Sequence, residues 1–437
     1  MNKTITWAIR IPIIILFIIL AMFMFKLCPP RGPWTMPPWC VAVESFEYSE
    51  LDYISSNYRA TNKELDFGIG TFDIWGNPHL FADLGDDTRN HYKETINRLG
   101  NINTELYLIT DVVTFSHNGT MIYSDDTAES GGGTIGKKYM DEIGQLVKTN
   151  KIKKFMHLTN LADFSDDIDD YLSRDLSTAE KLVGEQFKKE LEDSDSYVSS
   201  TNLNDYSKEQ WDDLFDTWTN IMVKMAKKNQ EAGVTHMVIN PGDTGFNWRI
   251  DYDYQKEKYA EVAKEIKNHF SGKLGVYGRV DELSNMNWDF IDFHMPTFNA
   301  DFDWMMDEDL KDVKDNVKDI KASITKYFAR EYWSQIKDES YLSVTIPSIT
   351  NGVRVGWMPQ SESNKHSPDQ KAQAIAYEAL FQTLYDIDTN IDGVIAYGYW
   401  WNDRLYPETK VLRNDNDYTI RNKDAEKVFY KWNEIFR

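Results

Sequence analysis

From Leu65 onward, short apolar runs alternate with longer stretches of helical periodicity, and the alternation fills almost the whole chain. Eight runs stand out: Leu65–Asp73, Leu106–Asp111, Phe155–Thr159, His236–Asn240, Lys273–Gly278, Phe290–Met295, Tyr341–Pro347 and Gly393–Tyr399. Each is nearly continuously apolar, as expected of parallel strands whose two faces both meet protein. Eight such strands, each followed by a helix, predict an α/β fold of the (β/α)8 TIM-barrel type. There the C-terminal mouths of the strands converge on one cavity, so residues just past each run are the candidates for chemistry.

The stretches between the runs carry helix punctuation. Asp86–Leu99 and Lys137–Thr149 read as the first two helices. After the third run comes a long acidic insertion, Asn160–Asp205, with a helix expected near Thr178–Leu191; an insertion of that length usually shapes or covers a site. Trp211, Leu214, Phe215, Trp218, Met222 and Met225 then fall at helical spacing, opened by the capping box Ser207-Lys208-Glu209-Gln210 and closed by Gly233. Ser367-Pro368-Asp369-Gln370 opens a later helix with Ala372, Ile375, Ala376, Ala379 and Leu380 on one face. Ala425, Val428, Phe429, Trp432 and Ile435 mark a last helix that belongs to the fold.

The N-terminus follows a different pattern. Ile11–Phe25 is apolar without interruption, between Lys3 and Arg10 on one side and Lys26 and Arg31 on the other. It is short for a bilayer crossing, though Trp7–Ile9 extends it if Arg10 snorkels. A transmembrane signal-anchor is favoured over a cleaved signal peptide because no small-x-small site follows. Residues 1–28 are therefore expected to be an anchor, 29–64 a linker and lead-in segment, and 65–437 the barrel, facing the outside of the membrane. Secretion after cleavage is the alternative. The only two cysteines, Cys28 and Cys40, flank a Pro/Trp-rich stretch and can pair as a clip or stay free. Thiol catalysis within the barrel is thereby excluded. Asn118-Gly119-Thr120 matches a glycosylation sequon.

A net charge of −22 argues against nucleic acid as a partner, whose phosphates need a basic surface. Aromatic residues make up 14% of the chain, enough to fill a core and still offer flat faces to sugar rings. At the predicted mouths stand Asp73 and Trp75, then Asp111, Asp163, Asn240 with Asp243 and Trp248, Arg279, Asp281 and Glu282, His294, Asn351 with Arg354 and Trp357, and finally Trp400, Trp401, Asn402 and Asp403. Carboxylates, amides and indoles together suit a polyhydroxylated ligand, and glycosidic hydrolysis needs two differently tuned carboxyl groups.

The closing passage Gly393-Val394-Ile395-Ala396-Tyr397-Gly398-Tyr399-Trp400-Trp401, followed by Ile420-Arg421-Asn422-Lys423-Asp424-Ala425-Glu426, resembles the end of the β-mannanase-like (β/α)8 glycoside hydrolases. The resemblance implies a catalytic acid/base Glu, after Asn, at the fourth strand and a nucleophilic Glu at the seventh. Here the fourth strand ends Ile239-Asn240-Pro241 and the seventh Ile346-Pro347-Ser348, so the Asn is kept and neither Glu is present.

Three readings follow. In the first, the carboxylates have moved: Asp243, in a Pro-Gly-Asp turn beside Phe246 and Trp248, is the acid, and Asp403, Asp73 or Asp111 a base activating water. Trp75, Asn240, Trp248, Arg279, His294, Trp357, Trp400 and Trp401 would bind the saccharide. In the second, the barrel binds carbohydrate without chemistry. The third, a metal-assisted hydrolase, has least support because the histidines are scattered, and no cofactor is expected. His157, inside a strand, reads as a satisfied core or layer histidine, and the acidic run Asp166–Asp170 as a solvated insertion.

Overall fold

Residues 55–61, 63–71, 93, 95–101, 104–115, 121–122, 135–163, 206–240, 251–280, 283, 288–298, 303–304, 313–335, 339–346, 353–354, 370–399, 419–421 and 423–437 are described by the computed structural model of the chain, all within the unit Tyr48–Arg437. Their strands are β1 (Asp66–Thr71), β2 (Leu106–Phe115), β3 (Met121–Ile122), β4 (Lys154–Asp163), β5 (His236–Asn240), β6 (Lys273–Arg279), β7 (Phe293–Phe298), β8 (Asp303–Trp304), β9 (Glu339–Val344), β10 (Val353–Arg354) and β11 (Gly393–Tyr397). Strands β1, β2, β4, β5, β6, β7, β9 and β11 pair in that order, every pairing parallel. Pairing of β11 back to β1, with Asp66 opposite Gly393 and Gly70 opposite Tyr397, closes the ring. The eight-stranded parallel barrel is the fold the apolar runs predict. Strand β3 pairs antiparallel with the far end of β2, and β8 with β10 forms a separate two-stranded ribbon.

Alternation along each strand sorts side chains into two sets. Leu106, Leu108, Met156, Leu158, Val238, Phe293, Met295, Tyr341, Ile395 and Tyr397 form one buried cluster inside the barrel. The other set meets the helices, as where Phe67 packs against the Phe381, Phe429 and Phe436 rings. The helices are α1 (Lys137–Thr149), α2 (Lys208–Ala232), α3 (Tyr252–Lys267), α4 (Val313–Phe328), α5 (Glu331–Gln335), α6 (Gln370–Asp386) and α7 (Asp424–Ile435), with a further helical stretch at 95–101.

Local chemistry explains their limits. Ser207 and Gln210 satisfy each other's backbone N–H groups at the start of α2, and Gly233, at φ 80°, ends it in the left-handed conformation. Asp251 accepts from the backbone N–H groups of Asp253 and Tyr254 to open α3. Helix α1 rests so closely on the end of α2 that a Cβ on Gly144 would collide with the Ala232 carbonyl oxygen.

The N-terminal ends of the strands form a charged floor. Lys154 bonds to Asp66, to Glu339 at 3.3 Å and to the Tyr341 hydroxyl at 2.6 Å, and Lys273 pairs with Glu339. His236 lies 3.9 Å from the same Glu339, with its ring edge-on to Phe293 and Tyr341. Burial drives the His236 imidazole down to about 4. Burial opposes ionisation of Glu339 too, but the Lys273 and Tyr341 hydrogen bonds and the charge of Lys154 prevail and hold it at about 2.

The lead-in segment straps onto the last helices at this end. Tyr58 donates to Gln382 at 3.0 Å, and Lys63 reaches the Leu384 and Ile387 carbonyls at 3.1 and 3.0 Å, satisfying acceptors at the C-terminus of α6. The Thr61 N–H bonds the Ile435 carbonyl at 3.1 Å.

Among the described residues no helix is long and apolar enough to cross a membrane. The apolar stretch Ile11–Phe25, both cysteines, the Asn118 sequon and the helix expected near Thr178–Leu191 lie outside the described residues.

Candidate functional site

At the C-terminal end of the barrel, the described residues of the interior rows supply hydroxyls, an amide and a cation. Asn240 shares the row of Val238 and closes β5, 1% exposed. Arg279 shares the row of Tyr277 and closes β6 in an exposed position opposite Thr297 of β7. Across the barrel, Thr110 of β2 and Tyr397 of β11 join their hydroxyls at 3.1 Å, and the Tyr277 ring lies 6.3 Å from that of Tyr397. Thr297 and Ser343 are paired in register below the mouth, and among the described residues their buried hydroxyls have no hydrogen-bond partner. Such hydroxyls need a water or a ligand group to be satisfied.

Asn240 and Arg279 therefore stand at the mouth, as expected. Asp111 and His294 do not. Strand β2 runs on to Phe115, which leaves Asp111 in mid-strand, and Asp111 shares the parity of Tyr107 and Ile109, turned toward the helices. There it is fully buried: it accepts from the Ile135 N–H at 2.8 Å and lies 3.1 Å from His157 Nε2 and 3.4 Å from Lys228 Nζ. Burial alone would raise its carboxyl, but the Lys228 and His157 partners and the Ile135 N–H outweigh burial and hold it below the usual carboxylate range. Lys228 also donates to the Ile135 carbonyl at 2.6 Å, and His157 Nδ1 meets Asn229 Oδ1 at 2.7 Å. The cluster fastens β2 and β4 to α2 and to the approach of α1. It offers no proton to a cavity, and His157 is the buried layer histidine its strand position suggests.

His294 is displaced because β7 spans Phe293–Phe298, which makes His294 the second residue of the strand and not a residue of its mouth. Its ring, of opposite parity to the interior Phe293 and Met295, lies edge-on to Tyr332 of α5 at 6.2 Å. The other candidates, Asp73, Trp75, Asp243, Trp248, Trp357, Trp400, Trp401 and Asp403, lie outside the described residues. Among the described residues no group of His, Cys, Asp and Glu side chains could hold a metal ion. Thr110, Tyr277 and Tyr397 were not singled out by the sequence, since each sits within an apolar run that conceals which face a residue takes.

Behind the mouth, the end of the last strand is held from outside. Gly398, at φ 87°, breaks the alternation after Tyr397, and the Tyr399 N–H bonds the Gly70 carbonyl at 2.9 Å. The Tyr399 side chain, fully buried, donates to Glu426 Oε1 at 2.6 Å. Tyr430 donates to the same oxygen at 2.7 Å, and Arg98 reaches Oε2 at 2.5 Å. The Arg421 guanidinium lies 5.7 Å from the centre of the Tyr399 ring and donates to Thr95 at 2.7 Å.

No family model matches the chain, and no curated protein does. Its fold is similar to that of solved glycoside hydrolases. One is a GH113 β-1,4-mannanase, 12% identical over 86% of this chain and 99% of that one, with a TM-score of 0.52. Another is the GH113 β-mannanase of Alicyclobacillus acidocaldarius, 13% identical over the same shares, with a TM-score of 0.53. These are the β-mannanase-like barrels that the closing third of the sequence resembles.

Proposed function

We propose that this chain is a glycoside-hydrolase-like protein that acts on the O-glycosidic bonds of oligo- or polysaccharides outside a membrane to which Ile11–Phe25 tethers it. The observation that carries the reading is Asn240, buried on the interior row at the end of the fourth barrel strand, where the mannanase-like barrels are expected to keep an Asn. The hydroxyls of Thr110 and Tyr397, the Tyr277 ring and the Arg279 cation suit recognition of sugar hydroxyls. Asp243 acts as the acid, and Asp403 or Asp73 as the base that activates water. Asp111 is withdrawn from that role, since it faces the helices.

A second reading, a catalytically silent carbohydrate-binding surface protein, is favoured by Pro241 and Pro347 at the strand ends where glutamates are expected. Turnover and binding on a common panel of β-linked glycans, with a chain beginning at Val41, separate the two. Hydrolysis that Asp243→Asn abolishes while binding persists supports the enzyme. Binding without turnover by the unmodified chain supports the second reading, and neither binding nor turnover refutes both.

A further inference from the structure

Glu426 joins parts of the fold that are remote in sequence. Its two carboxylate oxygens take hydrogen bonds from Tyr399 at the end of the last strand, from Tyr430 one turn along α7, and from Arg98 in the helical stretch 95–101. It is 4% exposed, and Tyr399 is completely buried. A buried carboxylate held by such charge-assisted and hydroxyl donors is well satisfied, and losing one of them weakens its hold on the others. Two residues before Tyr399 stands Tyr397, whose hydroxyl meets Thr110 inside the mouth. Between them, Gly398 at φ 87° turns one tyrosine inward and the other outward.

This geometry makes Tyr397 and Tyr399 two ends of a short lever. Tyr397 faces the cavity, Tyr399 is clasped from behind, and the Tyr399 N–H to Gly70 bond fixes the pivot against the first strand. Arg421 covers the outer ring and bonds Thr95, so the same helical stretch supports the clasp twice. Elsewhere the buried charges have other duties: the floor network is at the opposite end of the barrel, and the Asp111 cluster fastens helices.

We propose that Glu426, acting through Tyr399, is a positioning residue that sets Tyr397 in the mouth for a saccharide. The inference rests on the carbohydrate reading given above. Burial pushes the Tyr399 hydroxyl well above its ordinary range, so it remains a donor to Glu426 at any working pH.

The test compares Tyr399→Phe, Glu426→Ala and Glu426→Gln with Gly144→Ala, a destabilised variant remote from the mouth. Glycan affinity and thermal midpoint are measured for each, together with amide hydrogen exchange along 393–399. The expected result is about a tenfold loss of affinity for Glu426→Ala and Tyr399→Phe, the size of one buried hydrogen bond to a charged group. Glu426→Gln, which still accepts from Tyr399, should recover most of it. Gly144→Ala should bind normally at a temperature below its midpoint. Equal affinity loss in Gly144→Ala at matched stability would reduce Glu426 to a purely structural group and overturn the proposal. If the unmodified chain binds no glycan, the carbohydrate reading fails by itself, and exchange then decides the clasp: faster exchange confined to the last strand supports it, whereas uniform acceleration or none overturns it.

Discussion

The floor histidine makes the stability of this barrel depend on acidity in a defined window. His236 is buried among Phe293, Tyr341 and the Glu339, Lys154, Lys273 and Asp66 charges, and the fold favours its neutral form. Its ordinary value of 6.5 falls to about 4 in the folded chain. A depressed value means stability that is complete above pH 6.5 and lost as pH falls through about 4. The gap corresponds to about 3 kcal/mol, at about 1.4 kcal/mol for each tenfold change in proton affinity. Glu339, held at about 2, releases its own contribution only below its ordinary 4.5, so the two losses fall largely in successive windows. Denaturant unfolding between pH 7.5 and 4 measures the effect, with His236→Gln as the reference lacking the titrating ring. The unmodified chain should lose about 3 kcal/mol more than the variant over that interval. Parallel pH profiles for the two proteins would refute the reasoning.

Further outcomes follow from the same kind of argument. Asp111→Asn removes the carboxylate 3.4 Å from the buried Lys228 Nζ and should cost about 3–5 kcal/mol, and Asp111→Asn with Lys228→Met should recover much of the loss in the same unfolding assay. Gly144→Ala drives a methyl group into the Ala232 carbonyl at the α1–α2 contact, and calorimetry should record a destabilisation of about 1–3 kcal/mol. Lys63→Met removes the donor to the Leu384 and Ile387 carbonyls and should cost about 1–2 kcal/mol in thermal unfolding, with faster exchange at the end of α6.

Strand existence was legible in the sequence because parallel strands covered on both faces must be apolar, and His236–Asn240 and Lys137–Thr149 have the limits their patterns predict. Strand phase was not. A continuous apolar run has no period from which to read which residues turn inward, so the pattern points Asp111 to a cavity that it backs away from. At β7 the apolar run Phe290–Met295 is displaced from the strand, which spans Phe293–Phe298 and continues through Pro296, so His294 lies near the strand's beginning and not at the mouth. Asn240 closes its strand as its run predicts, because the sequence there passes directly from the apolar run to Pro241-Gly242, a strong turn signal. The Glu426 clasp was visible only as part of a family resemblance, since its partners come from residues separated by as many as 328 positions.

The seam between β1 and β11 and the lead-in strap have a bearing on biosynthesis. Tyr58 finds Gln382 only 324 residues later, and Gly68 and Gly70 wait equally long for Ile395 and Tyr397. Closing such a loop is entropically slow and comes late. While ribosomal synthesis is under way the first strand therefore has a bare edge, with Phe67 and Ile69 lacking the cover they gain once the last strand and helix emerge. Until those C-terminal elements are made, the unpaired edge and its apolar side chains are open to aggregation.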